Sequence, residues 1–117
     1  MEQEQRRALR CRIYRPVRVQ PSRQPVILET LTKNVGLGGL CCISSRVIPT
    51  ATELRVELML SDGEELLSLK GKVVWFQAIP HSEQFDLGIA FLDVPACDQR
   101  RLSTYCSRLG QSTVNVL

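Results

Sequence analysis

The stretch Leu54-Arg55-Val56-Glu57-Leu58-Met59-Leu60 carries leucine or valine at every second position. Successive side chains of a β-strand point to opposite faces, so this pattern predicts a strand with one face on a core and the other toward solvent. Ser61-Asp62-Gly63 follows at once, and an Asp-Gly pair tolerates the positive φ angles that hairpin turns require. The stretch therefore predicts the first strand of a β-hairpin.

Five further strands are predicted before and after that one. Apolar alternation and turn-forming residues place them at residues 15–20, 26–33, 40–43, 66–76 and 85–92. Short strands without helices between them indicate an antiparallel barrel rather than a parallel sheet. The predicted fold class is therefore mainly β, with a six-stranded antiparallel barrel.

A helix is predicted after the last strand, at about residues 96–109. Leu102, Tyr105, Cys106 and Leu109 fall at i, i+3, i+4 and i+7, and this stripe should pack on the barrel. Gly110 predicts the end of the helix, because glycine is common just past helix C termini. Residues 111–117 show no pattern and are predicted to form a frayed tail.

The size and composition of the chain fit one domain. Its 117 residues are 44% hydrophobic, which is enough to bury a modest core without disulfides or a metal. We predict a single domain over residues 13–110, preceded by a flexible arm over residues 1–12. The sequence shows no apolar run of membrane-spanning length, so we expect a cytoplasmic protein without membrane insertion.

Arginine dominates the start of the sequence. Residues 1–23 hold seven arginines and no lysine, and with Glu2 and Glu4 they carry a charge of +5, whereas the whole chain carries only +3. A guanidinium group can pair bidentately with a phosphate or a guanine edge and can stack on a base. The cluster Arg6-Arg7-Ala8-Leu9-Arg10 is therefore a candidate anion-binding arm, although such arginines also solubilise a mobile terminus.

A second candidate site is the segment Asn34-Val35-Gly36-Leu37-Gly38-Gly39, which lies between two predicted strands. Glycine supplies positive φ angles in tight turns and also lets a backbone approach a ligand closely. The segment is thus either a tight connection or a ligand-binding turn. It lacks the Gly-Lys-Ser/Thr ending of a P-loop, and it leads into a strand rather than the helix of a dinucleotide-binding fingerprint.

Catalytic and metal-binding groups are not indicated by the rest of the sequence. The five cysteines form no Cys-x-x-Cys pair, and His81 is the only histidine. Neither a zinc site nor a catalytic triad is therefore predicted. We predict that the protein is not an enzyme and holds no metal or cofactor.

The two candidate segments, taken with Gly71-Lys72-Val73-Val74-Trp75 and Leu87-Gly88-Ile89-Ala90-Phe91, resemble the PilZ domain family. The arginine cluster is similar to the family's Arg-x-x-x-Arg element, and the glycine-rich segment is similar to its [Asp/Asn]-x-Ser-x-x-Gly element. The resemblance covers most of the chain. It implies a small bacterial β-barrel that is a receptor for the second messenger cyclic di-GMP (c-di-GMP) and signals through an unidentified protein partner.

The resemblance also implies which residues contact the ligand. They are Arg6, Arg7 and Arg10 of the arm, Asn34, Gly36 and Gly39 of the glycine-rich segment, and Trp75 as a lining residue. An arginine can pair with a guanine edge or a phosphate of this dianion, and the Asn34 oxygen can accept guanine N–H groups. Gly36 stands where the family has serine, which removes a hydroxyl contact but leaves a backbone amide donor.

The implied mechanism is closure of the arm over a ligand held against the glycine-rich segment, a change that the partner would read. Two other functions stay open. The missing serine favours a PilZ-fold adaptor that has lost nucleotide binding and acts by protein contacts. A small barrel that binds single-stranded nucleic acid is the other, but only 5% of the residues are aromatic, which argues against DNA or RNA binding.

Overall fold

The computed structural model describes residues 11–61 and 65–116. Its elements are β1 (Cys11–Arg12), β2 (Pro16–Pro21), β3 (Leu28–Val35), β4 (Gly39–Ser44), β5 (Glu53–Ser61), β6 (Glu65–Ala78), β7 (Phe85–Leu92) and α1 (Ala96–Val116). The first ten residues of the predicted arm lie outside the described residues, as do Asp62 and Gly63 of the predicted hairpin turn.

Six of the strands close a barrel. Their order is β3, β2, β5, β6, β7 and β4, and β4 pairs back onto β3. Neighbouring strands are antiparallel throughout. The two-residue strand β1 is additional and pairs with the end of β3. The predicted six-stranded antiparallel barrel with a C-terminal helix is thus confirmed.

Alternate residues of the strands fill the interior of the barrel. In β5 the side chains of Leu54, Val56, Leu58 and Leu60 are all buried, whereas Arg55 between them is exposed. Burying an aliphatic side chain of this size contributes roughly 1.5–3 kcal/mol. The strand with the clearest alternation therefore supplies a large share of the core.

Thr32 of β3 bridges a break in the N-terminal strand between β1 and β2. Its fully buried hydroxyl donates to the Ile13 carbonyl oxygen at 2.6 Å and accepts from the Arg15 amide at 2.9 Å. The Thr32 amide donates to the Arg15 carbonyl oxygen at 2.9 Å. One side chain and its own amide thus satisfy the backbone groups that the break removes from regular pairing.

This bridge corrects the predicted extent of the arm. Cys11 and Arg12, which the sequence analysis assigned to the flexible arm, form β1 instead. The Cys11 side chain is buried in the core. Residues 11 and 12 therefore belong to the sheet, where the end of β3 pairs with them and Thr32 bonds the next residue, Ile13.

Helix α1 packs against β1, and three residues of the predicted apolar stripe lie on its described part. Leu102 and Cys106 are buried, and Tyr105 is partly buried. Two weak sulfur bonds join the helix to the sheet. Cys11 Sγ donates to the Cys106 carbonyl oxygen at 3.4 Å, and Cys106 Sγ donates to the Val35 carbonyl oxygen at 3.7 Å.

The helix is longer than predicted, because it continues through Gly110 to Val116. A single glycine lowers helix stability by about 1 kcal/mol relative to alanine, but it keeps its N–H donor and ends a helix only where the backbone turns left-handed. Most of the predicted frayed tail is therefore helical. In the described part of the chain, α1 included, we find no helix with both the length and the apolar character needed to span a membrane.

Replacing Thr32 by valine should lower the free energy of unfolding by about 1–3 kcal/mol, because two partly buried backbone groups lose their partner. Thr32→Ser is the control, since it removes a methyl group and keeps the hydroxyl. Urea unfolding gives the energies, and amide hydrogen exchange at residues 11–15 should rise in the valine variant alone. Equal exchange in both variants would show that the hydroxyl does not hold β1.

Candidate ligand-binding site

A row of residues on the outer face of the barrel joins five strands. The register pairs Arg12 with Asn34, Asn34 with Cys41, Cys41 with Gly88, and Gly88 with Trp75. Residues directly opposite each other in antiparallel strands share a face, with Cβ positions about 4.5–5.5 Å apart. The row therefore connects the first described residues to the predicted site residues Asn34 and Trp75.

Asn34 reaches the outer face because of a β-bulge in β3. The pairing of β3 with β4 passes from Thr32 to Asn34 in one step, which leaves Lys33 as the extra residue. Thr32 and Val35 are buried, whereas Lys33 and Asn34 between them are partly exposed. A bulge re-aims side chains in this way. Asn34 thus lies within the strand rather than in the turn predicted from the sequence.

A second bulge turns Trp75 outward. The pairing of β6 with β7 passes from Val73 to Trp75 and leaves Val74 as the extra residue. With strict alternation Trp75 would follow the buried Val73 into the core. Instead its side chain is 42% exposed. The indole lies flat against Gly88, where an added Cβ would collide with ring atoms Cε2 and Nε1.

The connection between β3 and β4 is a tight turn at residues 36–38. The Gly36 amide donates to the Gly39 carbonyl oxygen at 2.8 Å, so it is not the free donor expected from the sequence. The Phe91 amide donates to the Gly38 carbonyl oxygen at 2.8 Å and holds the turn on β7. A Cβ at Gly39 would collide with the Ile89 carbonyl oxygen, so the fold itself requires this glycine.

The glycine turn and Trp75 line one open cleft of about 340 Å³. Its lining residues are Gly38, Gly39, Leu40, Val74, Trp75, Gly88, Ile89 and Ala90. Asn34 does not line the cleft, but it lies in the same cross-strand row as Trp75, separated from the lining residue Gly88 by Cys41. The structure thus brings Asn34, Gly39 and Trp75 to one region of the outer face.

Asn34 holds a buried polar atom without a partner. Its side-chain oxygen, Oδ1, is buried and accepts no hydrogen bond from any residue that the structure describes. A buried acceptor left unpaired costs about 1–3 kcal/mol. A ligand N–H group at this position would therefore donate to Asn34 Oδ1 the hydrogen bond that no described residue supplies.

A larger cleft of about 530 Å³ lies on strands β2, β3, β5 and β6, away from the predicted site residues. Its charged groups already pair with one another: Arg18 is 2.8 Å from a Glu29 carboxylate oxygen and 3.6 Å from one of Glu57. These ion pairs leave little unmatched charge to orient a ligand. The smaller cleft, which is lined by Gly39 and Trp75, is therefore the candidate ligand site.

An ion pair crosses β4 beside the site. Lys33 Nζ on β3 lies 2.9 Å from Asp86 Oδ1 and 3.1 Å from Oδ2 on β7. The hydrogen bond to Asp86 raises the pKa of Lys33 above its usual value, so the ammonium stays charged at neutral pH. The pair ties the bulge that carries Asn34 to a strand on the far side of β4. These two residues are 53 positions apart, and no local pattern in the sequence links them.

The adjacent residues Cys41 and Cys42 are both buried, although successive side chains of a strand point to opposite faces. Cys42 points into the core, where burial raises the pKa of its thiol to about 12. Cys41 lies on the outer face, but the paired strands on both sides and the ion pair of Lys33 leave it only 4% exposed. Cys42 is therefore a protonated core thiol at neutral pH and not a nucleophile.

The other predicted ligand residues, Arg6, Arg7 and Arg10, lie outside the described residues. Arg12 does not belong to the predicted set, yet it is exposed and directly opposite Asn34. Its only signal in the sequence is that it stands two positions after Arg10, the spacing of residues on one face of a strand.

The sequence matches the PilZ domain over residues 4–108, so the chain belongs to the PilZ domain family. PilZ domains are non-catalytic receptors, so the prediction of no enzymatic activity holds for this domain. A comparison of the sequence with curated proteins gives no match.

Solved structures share the fold. The inhibitor of motility MotI/DgrA from Bacillus subtilis has a TM-score of 0.77 at 21% identity, over 88% of this chain and 49% of that chain. MrkH from K. pneumonia has a TM-score of 0.76 at 15% identity, over 92% of this chain and 49% of that chain. The PilZ domain of YcgR from Escherichia coli, in a structure with c-di-GMP, has a TM-score of 0.68 at 13% identity, over 89% of this chain and 90% of that chain. The chain thus spans about half the length of the first two proteins.

Gly88→Ala should displace the Trp75 indole and lower the free energy of unfolding by about 1–3 kcal/mol, because the new methyl group overlaps the ring. Trp75 is the only tryptophan, so intrinsic fluorescence should shift toward longer wavelength as the ring moves into solvent. Gly38→Ala is the matched control in the same cleft, since nothing lies within 4 Å of its Cβ position. An unshifted Gly88→Ala spectrum would contradict the contact.

Proposed function

We propose that this PilZ domain is a receptor for c-di-GMP and binds it on the outer face of the barrel, between Asn34 and Trp75. The buried Oδ1 atom of Asn34, which accepts no hydrogen bond from the described residues, carries the proposal. Guanine offers N–H donors to such an acceptor, and the half-exposed indole of Trp75 offers a flat apolar face for a base. The YcgR domain, which shares the fold, has been determined with c-di-GMP, and this supports the same ligand here.

The arginine arm is the second part of the proposed site. Its contributing residues are Arg6, Arg7 and Arg10. Cys11 pairs with Val35, so the arm joins the sheet directly beside the glycine turn. We propose that ligand binding orders residues 1–10 over the site through charge-assisted bonds, and that a partner protein reads the changed surface.

A PilZ-fold adaptor that binds no nucleotide is the second candidate, and Gly36 favours it. The serine hydroxyl of the family motif is absent at this position, and the Gly36 amide is already bonded to Gly39. In such an adaptor the Asn34 oxygen would accept a hydrogen bond from a partner protein rather than from guanine. The two candidates therefore differ in whether c-di-GMP alone is bound by the isolated protein.

Calorimetric titration of the purified chain with c-di-GMP should show binding, while GMP, cyclic AMP and a single-stranded oligonucleotide should not bind comparably. Ligand at about 100 times its Kd should stabilise the fold by roughly 2.7 kcal/mol, which raises the Tm by several degrees. Binding of no nucleotide would favour the adaptor. Tight oligonucleotide binding without c-di-GMP binding would favour the single-stranded nucleic-acid barrel.

Asn34→Leu separates a ligand-binding role from a structural one. It removes an unpaired acceptor, so the free protein should keep or gain unfolding free energy, while affinity for c-di-GMP should fall about tenfold or more. Asn34→Asp keeps an acceptor oxygen, adds charge and should still bind. Loss of stability together with loss of binding in the leucine variant would show instead that Asn34 supports the fold.

A further inference from the structure

We infer that Arg12 is a further ligand-binding residue of this site, held by the sheet before the ligand arrives. This role rests on the proposed receptor function and extends it to a residue beyond the Arg-x-x-x-Arg element. In the sequence Arg12 stands two positions after Arg10, the last residue of that element, and in the structure it lies within β1.

The register of β1 places Arg12 on the correct face. Cys11 pairs with Val35 and both side chains are buried, so Arg12 and its partner Asn34 face outward together. Directly opposed residues have Cβ atoms about 4.5–5.5 Å apart. A ligand whose guanine meets the Asn34 oxygen would therefore present its neighbouring groups within reach of the long Arg12 side chain.

The backbone on both sides of Arg12 is anchored. The Ile13 amide donates to the Lys33 carbonyl oxygen at 3.0 Å, and the Ile13 carbonyl oxygen accepts the buried Thr32 hydroxyl. On the other side, the Cys11 side chain is buried, and its thiol donates a weak hydrogen bond to the Cys106 carbonyl oxygen of the helix. The backbone at Arg12 is thus already ordered, so ligand binding needs to order only its side chain.

No carboxylate of the described residues neutralises the charge of Arg12. Within residues 11–61 and 65–108 it forms no ion pair, whereas nearby Lys33 pairs with Asp86 and Arg18 pairs with Glu29. The guanidinium group has five donors in a planar fork that matches a phosphate bidentately. We propose that the Arg12 guanidinium group binds a phosphate of the dianionic ligand, next to the guanine that donates a hydrogen bond to the Asn34 oxygen.

Titration of c-di-GMP into full-length Arg12→Ala and Arg12→Lys tests this role. Arg12→Ala should weaken binding about 10- to 100-fold, as expected for one hydrogen bond to a charged group, and lysine should not restore it because it lacks the planar fork. The matched control is Arg23→Ala, an equal change of charge at an exposed position in the turn after β2. It should change affinity less than about twofold, since long-range charge effects are screened by salt.

The outcomes separate the failure of the Arg12 role from the failure of the receptor function. Equal affinity of wild type and Arg12→Ala would overturn the role of Arg12 and leave the receptor intact. Equal losses in Arg12→Ala and Arg23→Ala that disappear at high salt would also overturn it, since only net charge would matter. If wild type does not bind c-di-GMP, the receptor function fails and the role of Arg12 fails with it. The urea midpoint of each free variant should equal that of wild type, because Arg12 is exposed.

Discussion

The hydroxyl group of Thr32 holds the two parts of the N-terminal strand in one register. Where the strand breaks, this group bonds the Ile13 carbonyl oxygen and the Arg15 amide in place of a neighbouring backbone. A two-residue strand such as β1 has too few pairs of its own to persist. The position of Arg12 opposite Asn34 therefore depends on a side chain that is fully buried and cannot touch a ligand.

Two exceptions to strand alternation create the proposed site. The bulges at Lys33 and Val74 each add one residue, and they bring Asn34 and Trp75 to the outer face. Apart from the bulges, both strands pair regularly in the barrel. Their inward-facing side chains therefore fill the core, while the proposed site forms on their outer faces. Local departures from a regular pattern are expected where a fold carries a binding function.

The fold could be predicted largely because barrel strands obey a period of two over most of their length. The last strand was predicted at residues 85–92 and is observed as Phe85–Leu92. The break before β2 could not be predicted, because it depends on a hydroxyl group 17 residues away from Arg15. The helix was predicted too short because a glycine is a frequent end signal and not an obligatory one.

The site could be predicted only in part, since family motifs indicated residues and not their geometry. Asn34, Gly39 and Trp75 lie in one region of the surface, but the motifs contain no information on the two bulges that put them there. The engaged amide of Gly36 and the ion pair of Lys33 with Asp86 are tertiary features without a local signature. Arg12 was not among the predicted ligand residues, because the alternation gave no sign that residues 11 and 12 already belong to a strand.

The bulge at Val74 makes the site sensitive to strand register more than to the identity of residue 74. Val74 is exposed, so its side chain tolerates exchange. If Val74 were taken into regular pairing with β7, every later residue of β6 would slip by one position, and the indole would turn into an interior already occupied by Leu87 and Ile89. Deletion of Val74 would instead leave Trp75 directly after Val73 and still opposite Gly88, so during divergence of this sequence the aromatic wall of the cleft would survive loss of the residue but not loss of the register.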